Sequence, residues 1–580
     1  MRFAIALALV SAVSLIGFSL LPSRPRARFV VPLSLSFGAL VVGSLTWIVG
    51  TLIGTSAAMI AAALLFAVSL RHARAWGGAV QRFGRELLPL AKQPASILTG
   101  LLLLTVLRQL ALPLIDSDGL RYHAALPKLF LLQGEVTYYP WDVTGAYPQT
   151  AEMLYMLGIA AWSGEVAKVI HFLFFSATLA TLALTVHRGR ATRTAAALAP
   201  FLYAAAPVAL LPAGSAFIDH IVVFHVAVAL QLVLAVSSGR TGSQPVPRRP
   251  ERPALQRARV ALPLAAAFAT KITAAPAIAV LALARKRVRS IAVIAAVVTL
   301  AFLPFAIRNV YYTGDPVYPV GRGLLGLPIA GVTQERIEYA TQFHGKIGGI
   351  PWVPREGVVQ DDEVAGLHHL LGLFALLLAI RDRRLRVPLL IVVAYLAVGL
   401  VYSVPTRHYL SMFLVLSIFE ALALARLRRF APVVALLVAL PALAVSVPLV
   451  LTYGSFDVAR TVPAYRAMQV VNAQPPGGKV MGFDVPAPYY FDRPWIVEGL
   501  LNEPPLKRWV REARTVEDLL AKLRAHDVRY VVVTPGYGGG GPHTLVALAE
   551  NPREAQLLDA LRRRLRPVER VDSVDVFAVP

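Results

Sequence analysis

"IDSDGLRYHAALPKLFLLQG", residues 115–134, is the stretch that decides how this chain folds and works. It follows directly on an apolar run over 96–114, and it brings two acids, a tyrosine, a histidine and a lysine to the point where that run ends. An apolar run of about 20 residues is long enough to cross a bilayer as a helix. The sequence therefore predicts these polar groups at a membrane surface, where partial desolvation tunes carboxylates.

The composition of the whole chain is that of a membrane protein. Of its 580 residues, 57% are hydrophobic and only 16% are charged, and the mean hydropathy is +0.62, whereas soluble domains carry about 25% charged residues. The net charge of +24 comes from arginines in short loops, which orient membrane proteins. No nucleic-acid-binding motif accompanies that charge, so nucleic acid is not an expected partner. The chain has no cysteine, which excludes disulfides and thiolate metal sites.

Apolar runs alternate with basic connectors along the chain, and this alternation predicts a topology. It puts the basic connectors in the cytoplasm, and it puts the amino end outside together with 115–164, 308–365 and the chain after 453. The first apolar run also suits a cleaved signal peptide, but the arginines of 22–28 favour a retained span. We predict about 12–14 spans, including one short hairpin, from runs at roughly 3–21, 29–49, 51–70, 96–114, 165–187, 194–212, 218–237, 289–307, 366–380, 387–404, 408–425 and 430–452.

Residues 260–284, "VALPLAAAFATKITAAPAIAVLALA", interrupt this alternation because basic connectors flank them on both sides. Both flanks reach the cytoplasm only if the segment enters the membrane and returns, as two short helices that turn near Thr270 and Lys271. Each limb of about 12 residues reaches about 18 Å, little more than half of the hydrocarbon core. A lysine held there is costly and is a functional residue by default. The alternative is a single span with one basic flank on the unexpected side.

The chain changes character after Gly454. Charged helical stretches such as "TVEDLLAKLRAHDV" alternate with the β-rich runs "GKVMGF", "RYVVVTP" and "SVDVFAVP", which predicts a small α/β domain. "GYGGGG" at 536–541 lacks the G-K-[ST] ending of a phosphate loop, so we interpret it as a flexible loop. The predicted parts are N-terminal spans with a basic loop (1–95), a main membrane module (96–453) and an extracytoplasmic α/β domain (454–580).

The acids of the first outer loop are the most informative chemical groups in the sequence. Asp116 and Asp118 follow the end of a span within a few residues. A carboxylate within reach of an acceptor hydroxyl can take its proton, whereas a D-x-D pair with His123 nearby can ligate a divalent ion. A solvated loop is the simpler interpretation of the acids. An interfacial belt is the simpler interpretation of the aromatic residues Tyr138, Tyr139, Trp141 and Tyr147.

Two stretches of this loop, "DGLRYHAALPKLFLLQGEV" and "YPQTAEMLYMLG", resemble the first outer loop of bacterial C-type (GT-C) membrane glycosyltransferases. The likeness is greatest to the group around the protein mannosyltransferases and the lipid A aminoarabinose transferases. That loop has a D-x-x-x-Y core, a helix, a glycine turn and a proline-led helix. Asp118 and Tyr122 match the core, Gly134 matches the turn, and Tyr147–Pro148 opens the helix that contains Glu152. The resemblance makes Asp118 the counterpart of the family's catalytic carboxylate.

Three further motifs follow in the order that this family has. "FATKITAAP" resembles a short hairpin with Thr-Lys at its turn, "PFAIRNVYYTGDPVYP" resembles the start of a long middle loop, and "TRHYLSMFLVL" resembles the R-x-Y that opens a late span. A departing lipid phosphate needs cations in a water-poor site, and the predicted donor phosphate-binding residues are Lys271, Arg308 and Arg407. The predicted substrate-binding or supporting residues are Asp116, Tyr122, His123, Lys128, Tyr147, Glu152, Asp219, Asn309, Tyr318 and Tyr409.

Simpler roles compete with these. The two arginines would serve as interfacial anchors, Lys271 would snorkel to the surface, and Asp219 would be an ordinary acid at a helix start. The chain also departs from the family in two respects. Some relatives have a phosphate-binding lysine early in the proline-led helix, where this chain has Gln149 and Glu152, and the three spans before residue 96 are additional.

The resemblance implies an inner-membrane glycosyltransferase that uses a polyprenyl-phosphate sugar. Its donor would lie in membrane lipid, and transfer to a hydroxyl of a glycan, lipid or protein acceptor would be a single inverting step at the outer face with Asp118 as the base. No cofactor is required, although some relatives use a divalent metal ion. The middle loop is predicted to close over the site, with Lys346, Trp352 and Arg355 as contacts.

Two functions from other classes remain alternatives. A transporter or flippase of lipid-linked sugars would show repeat symmetry and charges along the midplane of several spans. We find no persuasive internal repeat, and the ionisable residues gather at one face. A membrane-anchored binding protein would act through its α/β tail, but that tail carries no site motif.

Overall fold

A computed structural model shows that the chain is mostly helical, with one small sheet near its carboxyl end. This confirms the predicted fold class, a polytopic α-helical membrane protein with a C-terminal α/β domain.

The predicted contacts Lys346, Trp352 and Arg355 and the glycine run 536–541 lie outside the described residues. The structure describes residues 1–21, 27–188, 191–238, 253–324, 327–329, 332, 365–379, 385–401, 405–452, 457–483, 485, 487–499, 501–534 and 545–580.

The membrane part is a bundle of helices of very unequal length. The helices of its first half are α1 Arg2–Leu20, α2 Ala27–Leu52, α3 Thr55–Ser69, α4 Ala73–Ala91, α5 Pro94–Ala111, α6 Ala125–Gln133, α7 Thr150–Ala161, α8 Glu165–Arg188, α9 Arg193–Ala205, α10 Pro207–Leu210 and α11 Asp219–Ser238. Those of its second half are α12 Pro253–Thr270, α13 Ala275–Leu283, α14 Val288–Thr313, α15 Val320–Leu324, α16 His369–Ala379, α17 Arg386–Val401, α18 Leu410–Leu424 and α19 Ala431–Thr452.

Seven helical stretches of the described residues are long and apolar enough to cross a membrane, or eight if one bent pair counts as a span. One of the seven, Thr406–Thr452, contains both α18 and α19. Four further apolar helices have only 10–17 residues. The prediction of 12–14 spans is therefore higher than the seven or eight candidate spans in the described residues. The reason is that several of the predicted spans fold as apolar helices of only 10–17 residues.

The run predicted as one span over 194–212 is bent. Its two pieces, Arg193–Ala205 and Pro207–Gly214, meet at 83°, and Ala206 between them is extended, with φ −67° and ψ 129°. The cause is Pro207, because proline lacks an amide hydrogen and disfavours a helical conformation in the residue before it. The bend brings the backbone of 211–216 to the carboxyl-terminal end of α5, where the Gln109 side chain donates to the carbonyl of Leu211 at 3.2 Å.

The helix break predicted near Thr270 and Lys271 is present. Helix α12 ends at Thr270, a short 3-10 turn spans Ile272–Ala274, and α13 follows. Two hydroxyl groups hold this break in place. Thr150 Oγ1 donates to the carbonyl of Ala269 at 2.7 Å, and the Tyr395 hydroxyl donates to the carbonyl of Thr273 at 3.2 Å. Lys271 therefore has a fixed position at the end of a helix.

The N-terminal helices are an integral part of the bundle. Helices α1 and α2 pack with almost no space between their backbones, since a Cβ on Gly17 would lie 1.9 Å from the carbonyl oxygen of Ser34. Helix α2 bonds to the helices that follow residue 96. Ser36 Oγ lies 2.8 Å from Nδ1 of His225, and the Trp47 indole donates to Gln149 at 3.2 Å. The additional spans thus support helices that carry predicted site residues.

The C-terminal domain is built on a five-stranded sheet of order β2-β1-β3-β5-β4. The two β2–β1 and β1–β3 pairs are parallel, whereas β3–β5 and β5–β4 are antiparallel. Strands β1, β3 and β5 match the three β-rich runs in the sequence. The strands are β1 Lys479–Phe483, β2 Trp495–Ile496, β3 Val528–Val533, β4 Arg566–Val571 and β5 Val574–Ala578. The accompanying helices are α20 Val458–Thr461, α21 Tyr465–Asn472, α22 Pro505–Glu512, α23 Val516–Ala525 and α24 Pro552–Arg564.

The domain is attached by hydrogen bonds to the end of the bundle that carries the loop 115–164. The Tyr490 hydroxyl donates to the carbonyl of Leu114 at 2.7 Å, and the Gly164 amide donates to the hydroxyl of Tyr489 at 2.8 Å. The amide of Val143 donates to the side chain of Asn502 at 2.8 Å. These bonds join the domain to both ends and to the middle of the loop 115–164. The domain therefore covers the loop on which Asp118 lies.

Candidate active site at one end of the bundle

Asp118 precedes a single π-helical turn, Gly119–His123, between α5 and α6. Turns of this kind are rare and are frequent at functional sites. The Tyr122 hydroxyl donates to Oδ2 of Asp118 at 2.8 Å. Residues four apart share one face of a helical turn, which explains the D-x-x-x-Y spacing, because the tyrosine can then orient the carboxylate.

Asp219 connects Lys271 to Arg407, and Arg407 binds Asp118. Arg407 Nη2 donates to Oδ2 of Asp118 at 2.7 Å, and its Nε lies 4.0 Å from Oδ2 of Asp219. Lys271 Nζ donates to Oδ1 of Asp219 at 2.8 Å. Four side chains from four distant segments thus form one chain of ion pairs, Asp118–Arg407–Asp219–Lys271, which we call the ionic cluster.

The ionic cluster is largely buried, with 4–17% of each side chain exposed, and its two acids and two bases balance in charge. Burial opposes ionisation of Asp118, but Arg407, His123 and Tyr122 outweigh burial and lower the pKa of this carboxyl group to about 2. Burial, with a contribution from Asp118, raises the pKa of Tyr122 well above 10. Asp118 is therefore an anion at neutral pH, and Tyr122 remains a hydrogen-bond donor.

Asp116 binds the backbone of its own neighbourhood. Its Oδ1 accepts from the amide of Gly119 at 2.8 Å, and its Oδ2 accepts from the amide of Ala216 at 3.2 Å. Gly119 is required there, since a Cβ would lie 2.2 Å from Oδ1. Burial raises the pKa of Asp116, although Lys168 opposes this. Because both of its oxygens are engaged, Asp116 stabilises the turn and connects it to the bent segment at 211–216.

His123 and Glu152 form a buried pair behind the turn. Nδ1 of His123 lies 2.8 Å from Oε1 of Glu152, and the imidazole packs between the rings of Tyr122 and Phe217. Phe217 also lies under Arg407, whose guanidinium carbon is 5.0 Å from the ring centroid. Phe217 thus packs against Arg407 of the ionic cluster, a role that the sequence did not indicate.

Arg308 lies apart from the ionic cluster and binds the loop before α7. Its guanidinium donates to the carbonyls of Ala146 and Tyr147 and to the side chain of Gln149 at 3.1 Å. It also packs over the ring of Trp47 at 5.5 Å. Of the three predicted phosphate-binding cations, Lys271 and Arg407 therefore belong to the ionic cluster with Asp118. Arg308 does not.

Three other predicted residues lie in the loop before α7 or contact it. Asn309 donates to the carbonyls of Ala146 at 3.1 Å and of Tyr318 at 3.4 Å, and Tyr318 is buried against Val143 and Ala146. Burial, followed by Asp142 and Asp118, raises the pKa of Tyr147 to about 12, so its ring lies within electrostatic range of the proposed base. Together these residues fix the loop that faces Asp118.

Lys128 and Tyr409 occupy other places. Lys128 Nζ donates to the carbonyl of Tyr489 at 3.0 Å and to Asp492 at 2.9 Å, so it contacts the C-terminal domain. Tyr409 is buried and packs against Tyr395, with ring centroids 6.2 Å apart. Neither side chain has a hydrogen bond to the ionic cluster among the described residues.

His408 is a residue of this site that the sequence analysis did not select. It lies between Arg407 and Tyr409, and its imidazole interacts electrostatically with Lys271, Asp219, Arg407 and Asp118. Its Nδ1 is buried without a hydrogen-bond partner in the described parts of the chain. The signal was available, since this histidine lies inside the quoted motif "TRHYLSMFLVL".

The fold is that of the C-type (GT-C) membrane glycosyltransferases, as the resemblance implied. The structure of ArnT from Cupriavidus metallidurans bound to undecaprenyl phosphate matches the chain with a TM-score of 0.53 at 15% identity, over 84% of this chain and 98% of ArnT. The apo state of the same protein matches with a TM-score of 0.52 at 15% identity, over 84% and 97%. No protein-family model and no curated protein sequence matches the chain.

An oligosaccharyltransferase from Archaeoglobus fulgidus is also similar, with a TM-score of 0.47 at 13% identity over 76% of this chain and 69% of that one. At this level of similarity it adds no argument about function.

Proposed function

We propose that this protein transfers a sugar from a polyprenyl-phosphate donor to a hydroxyl group of an acceptor at the outer face of the inner membrane. The observation that carries the proposal is the convergence of Asp118, Arg407 and Lys271, with Asp219 between the two cations, at the outer end of an apolar bundle. The ArnT structure that shares this fold holds undecaprenyl phosphate, which supports a lipid phosphate as the donor's leaving group.

Arg407 and Lys271 are the proposed phosphate-binding residues. The arginine presents a planar fork that binds phosphate oxygens in pairs, whereas the lysine acts as a compact point charge. As the bond between the sugar and the phosphate breaks, negative charge grows on the phosphate, and preorganised cations in a buried site stabilise that charge. The polyprenyl tail would lie along the apolar helices, with its phosphate at headgroup depth.

Asp118 is the proposed general base. The acceptor oxygen attacks the anomeric carbon as the bond from that carbon to the phosphate oxygen breaks, in one step that inverts the configuration. The electron pair of the broken bond leaves with the lipid phosphate, and the acceptor's proton passes to Asp118. Tyr122 and Arg407 both bind Oδ2, so we assign the proton to the other oxygen, Oδ1.

The remaining predicted residues support the site in this proposal. Arg308 and Asn309 hold the carbonyls of 146–147, His123 and Glu152 support the π-helical turn, and Asp116 anchors it to the bent helix. A divalent ion at the D-x-D pair would compete at Asp116 with the backbone amides that both of its oxygens already bind. The three-part division of the chain and an outside position of its amino end and α/β domain belong to the same proposal.

The test is an assay of the purified full chain in detergent with a radiolabelled polyprenyl-phosphate sugar and a panel of hydroxyl acceptors. The wild type should release polyprenyl phosphate and form a labelled product, and Asp118→Asn should lower this rate by about 100-fold to 10,000-fold in protein that is still expressed and folded. Full activity of Asp118→Asn would overturn the role of this residue. Lipid-linked sugar crossing sealed vesicles without product in detergent would establish the flippase instead.

A further inference from the structure

His368, His369 and Glu420 form a second group of buried ionisable side chains, where the start of α16 meets α18. One coordinating atom from each lies within 4.8 Å of the others, and this is the one such group of three among the described residues. The three residues are 2%, 0% and 0% exposed. Nδ1 of His369 lies 2.7 Å from Oε1 of Glu420. Ionisable groups inside a membrane bundle are costly and are functional by default.

The hydrogen bonds of His368 fix which of its nitrogens is available. Nε2 lies 2.8 Å from the carbonyl oxygen of Leu202. A carbonyl oxygen only accepts hydrogen bonds, so Nε2 carries the proton and Nδ1 of the neutral ring carries a lone pair. A ring N–H bound to a carbonyl is also how proteins orient histidines that ligate metals.

Three polar atoms of the group have no hydrogen-bond partner in the described residues, namely Nδ1 of His368, Nε2 of His369 and Oε2 of Glu420. Each buried polar group left unsatisfied costs about 1–3 kcal/mol. Neutral imidazole and carboxylate groups are Lewis bases. All three side chains can therefore bind one cation together.

Two glycines leave the space for these side chains. A Cβ on Gly366 would lie 2.3 Å from Cε1 and 2.6 Å from Nδ1 of His368, and a Cβ on Gly372 would lie 2.7 Å from Oε1 of Glu420. The backbone of the segment "GLHHLLG" therefore approaches the group closely at both ends. Larger residues at either position would displace a coordinating side chain.

We propose that His368, His369 and Glu420 bind a divalent transition metal ion of the zinc class inside the bundle. Two imidazoles and one carboxylate are a ligand set that suits zinc, with bonds of about 2.0–2.2 Å to nitrogen and oxygen. Neighbouring ligands of a tetrahedral ion lie about 3.3 Å apart at such bond lengths, so coordinating atoms that already lie within 4.8 Å of one another need only small side-chain movements to hold it. The ion would join α16 to α18, the helix that begins beside Arg407.

The test is zinc binding by the full chain, purified in detergent with a tag that contains no histidine. The chain is stripped with a chelator, dialysed against Zn²⁺ and analysed by elemental mass spectrometry. The wild type should retain about one zinc per chain, and Co²⁺ in its place should show the visible absorption of a tetrahedral site. Because second-shell changes already cost about 10–100-fold in affinity, His369→Gln and Glu420→Gln should weaken binding by more than about 100-fold.

Two control variants locate the ion. His225→Ala removes an equally buried histidine elsewhere in the bundle, and Asp118→Asn changes the outer loop; both should bind zinc as the wild type does. Zinc should also raise the melting temperature of the wild type and of both controls, but not of Glu420→Gln. A folded wild type that binds no zinc, unchanged affinity in His369→Gln and Glu420→Gln, or loss of the ion in Asp118→Asn would each overturn the proposal.

Discussion

Arg407 and Asp118 lie 289 positions apart in the sequence, and their side chains meet with 2.7 Å between Nη2 and Oδ2. This contact joins the turn after α5 to the start of α18 and keeps the proposed base next to a proposed phosphate-binding cation. A donor phosphate would compete with Asp118 for the same guanidinium. In the proposed mechanism, donor binding therefore releases the carboxylate to accept a proton at the moment when a proton has to be removed.

The pH profile of transfer should depend on Arg407. The folded-state pKa of Asp118 is lowered to about 2, so the carboxylate is charged throughout the ordinary acidic range, and the base is lost only as the pH falls towards that value. Arg407→Ala removes the largest of the effects that lower this pKa and leaves the opposing effect of burial. We expect the acid limb of kcat/KM to move to higher pH in this variant.

Lys271→Met is the matched comparison for that profile. Lys271 is the weakest of the named influences on the pKa of Asp118, so this variant should lose donor affinity while its acid limb moves less than that of Arg407→Ala. Measurement of kcat/KM between about pH 4 and pH 8 covers the range in which an ordinary carboxyl group titrates. Over this range the wild type should be flat, because the pKa of Asp118 is lowered to about 2. A profile of Arg407→Ala that is equally flat would show that Asp118 is not the titrating base.

The two acids of the D-x-D pair should respond in opposite ways to amide substitution. In Asp116→Asn, an amide nitrogen would face one of two backbone donors, Gly119 or Ala216, and a buried donor left unpaired costs about 1–3 kcal/mol. This variant should therefore unfold at a lower temperature. Asp118→Asn keeps its contact with Tyr122 but removes one charge of the buried ionic cluster, which also lowers stability, so its diagnostic result is the loss of transfer in protein that is still folded. Thermal unfolding and product formation, measured on both variants, separate the two roles.

The sequence was most informative where the chemistry is local. Tyr122 follows Asp118 by one helical turn, so their hydrogen bond could be expected from spacing alone. The break at Lys271 followed from basic residues on both flanks of 260–284. These features depend on positions close together in the chain, and the fold class followed in the same way from hydropathy and the order of short motifs.

The sequence was least informative where the outcome depends on which distant backbone a side chain reaches. Arg308 lies near the end of α14 and Arg407 lies just before the start of α18, yet one binds the carbonyls of 146–147 and the other binds Asp118. Nothing in the pattern around either residue distinguishes them. The group formed by His369 and Glu420 was missed for the same reason, since helices α16 and α18 bring them together from positions 51 residues apart.

Arg308 provides a test of this distinction. Arg308→Ala leaves the carbonyl of Tyr147 without its donor, whereas Ala146 keeps Asn309 and Gln149 keeps Trp47 as donors. A buried acceptor left unpaired costs about 1–3 kcal/mol. We expect a clear loss of thermal stability, in contrast to Arg429→Ala, which removes an exposed arginine at the start of α19. A variant with wild-type stability and a raised KM for the donor would instead support the phosphate-binding role that the sequence analysis predicted.

The proposed topology can be tested directly because the chain has no cysteine. Ser573 is exposed in the turn between β4 and β5, and Lys92 is exposed in the turn between α4 and α5. With the α/β domain outside and the basic connector inside, a membrane-impermeant thiol reagent should label Ser573→Cys in intact cells with a permeable outer envelope. It should label Lys92→Cys only after the inner membrane is opened. Labelling of Lys92→Cys but not of Ser573→Cys in intact cells would reverse this orientation, and the ionic cluster would then face the cytoplasm, which would overturn the proposed transfer at the outer face.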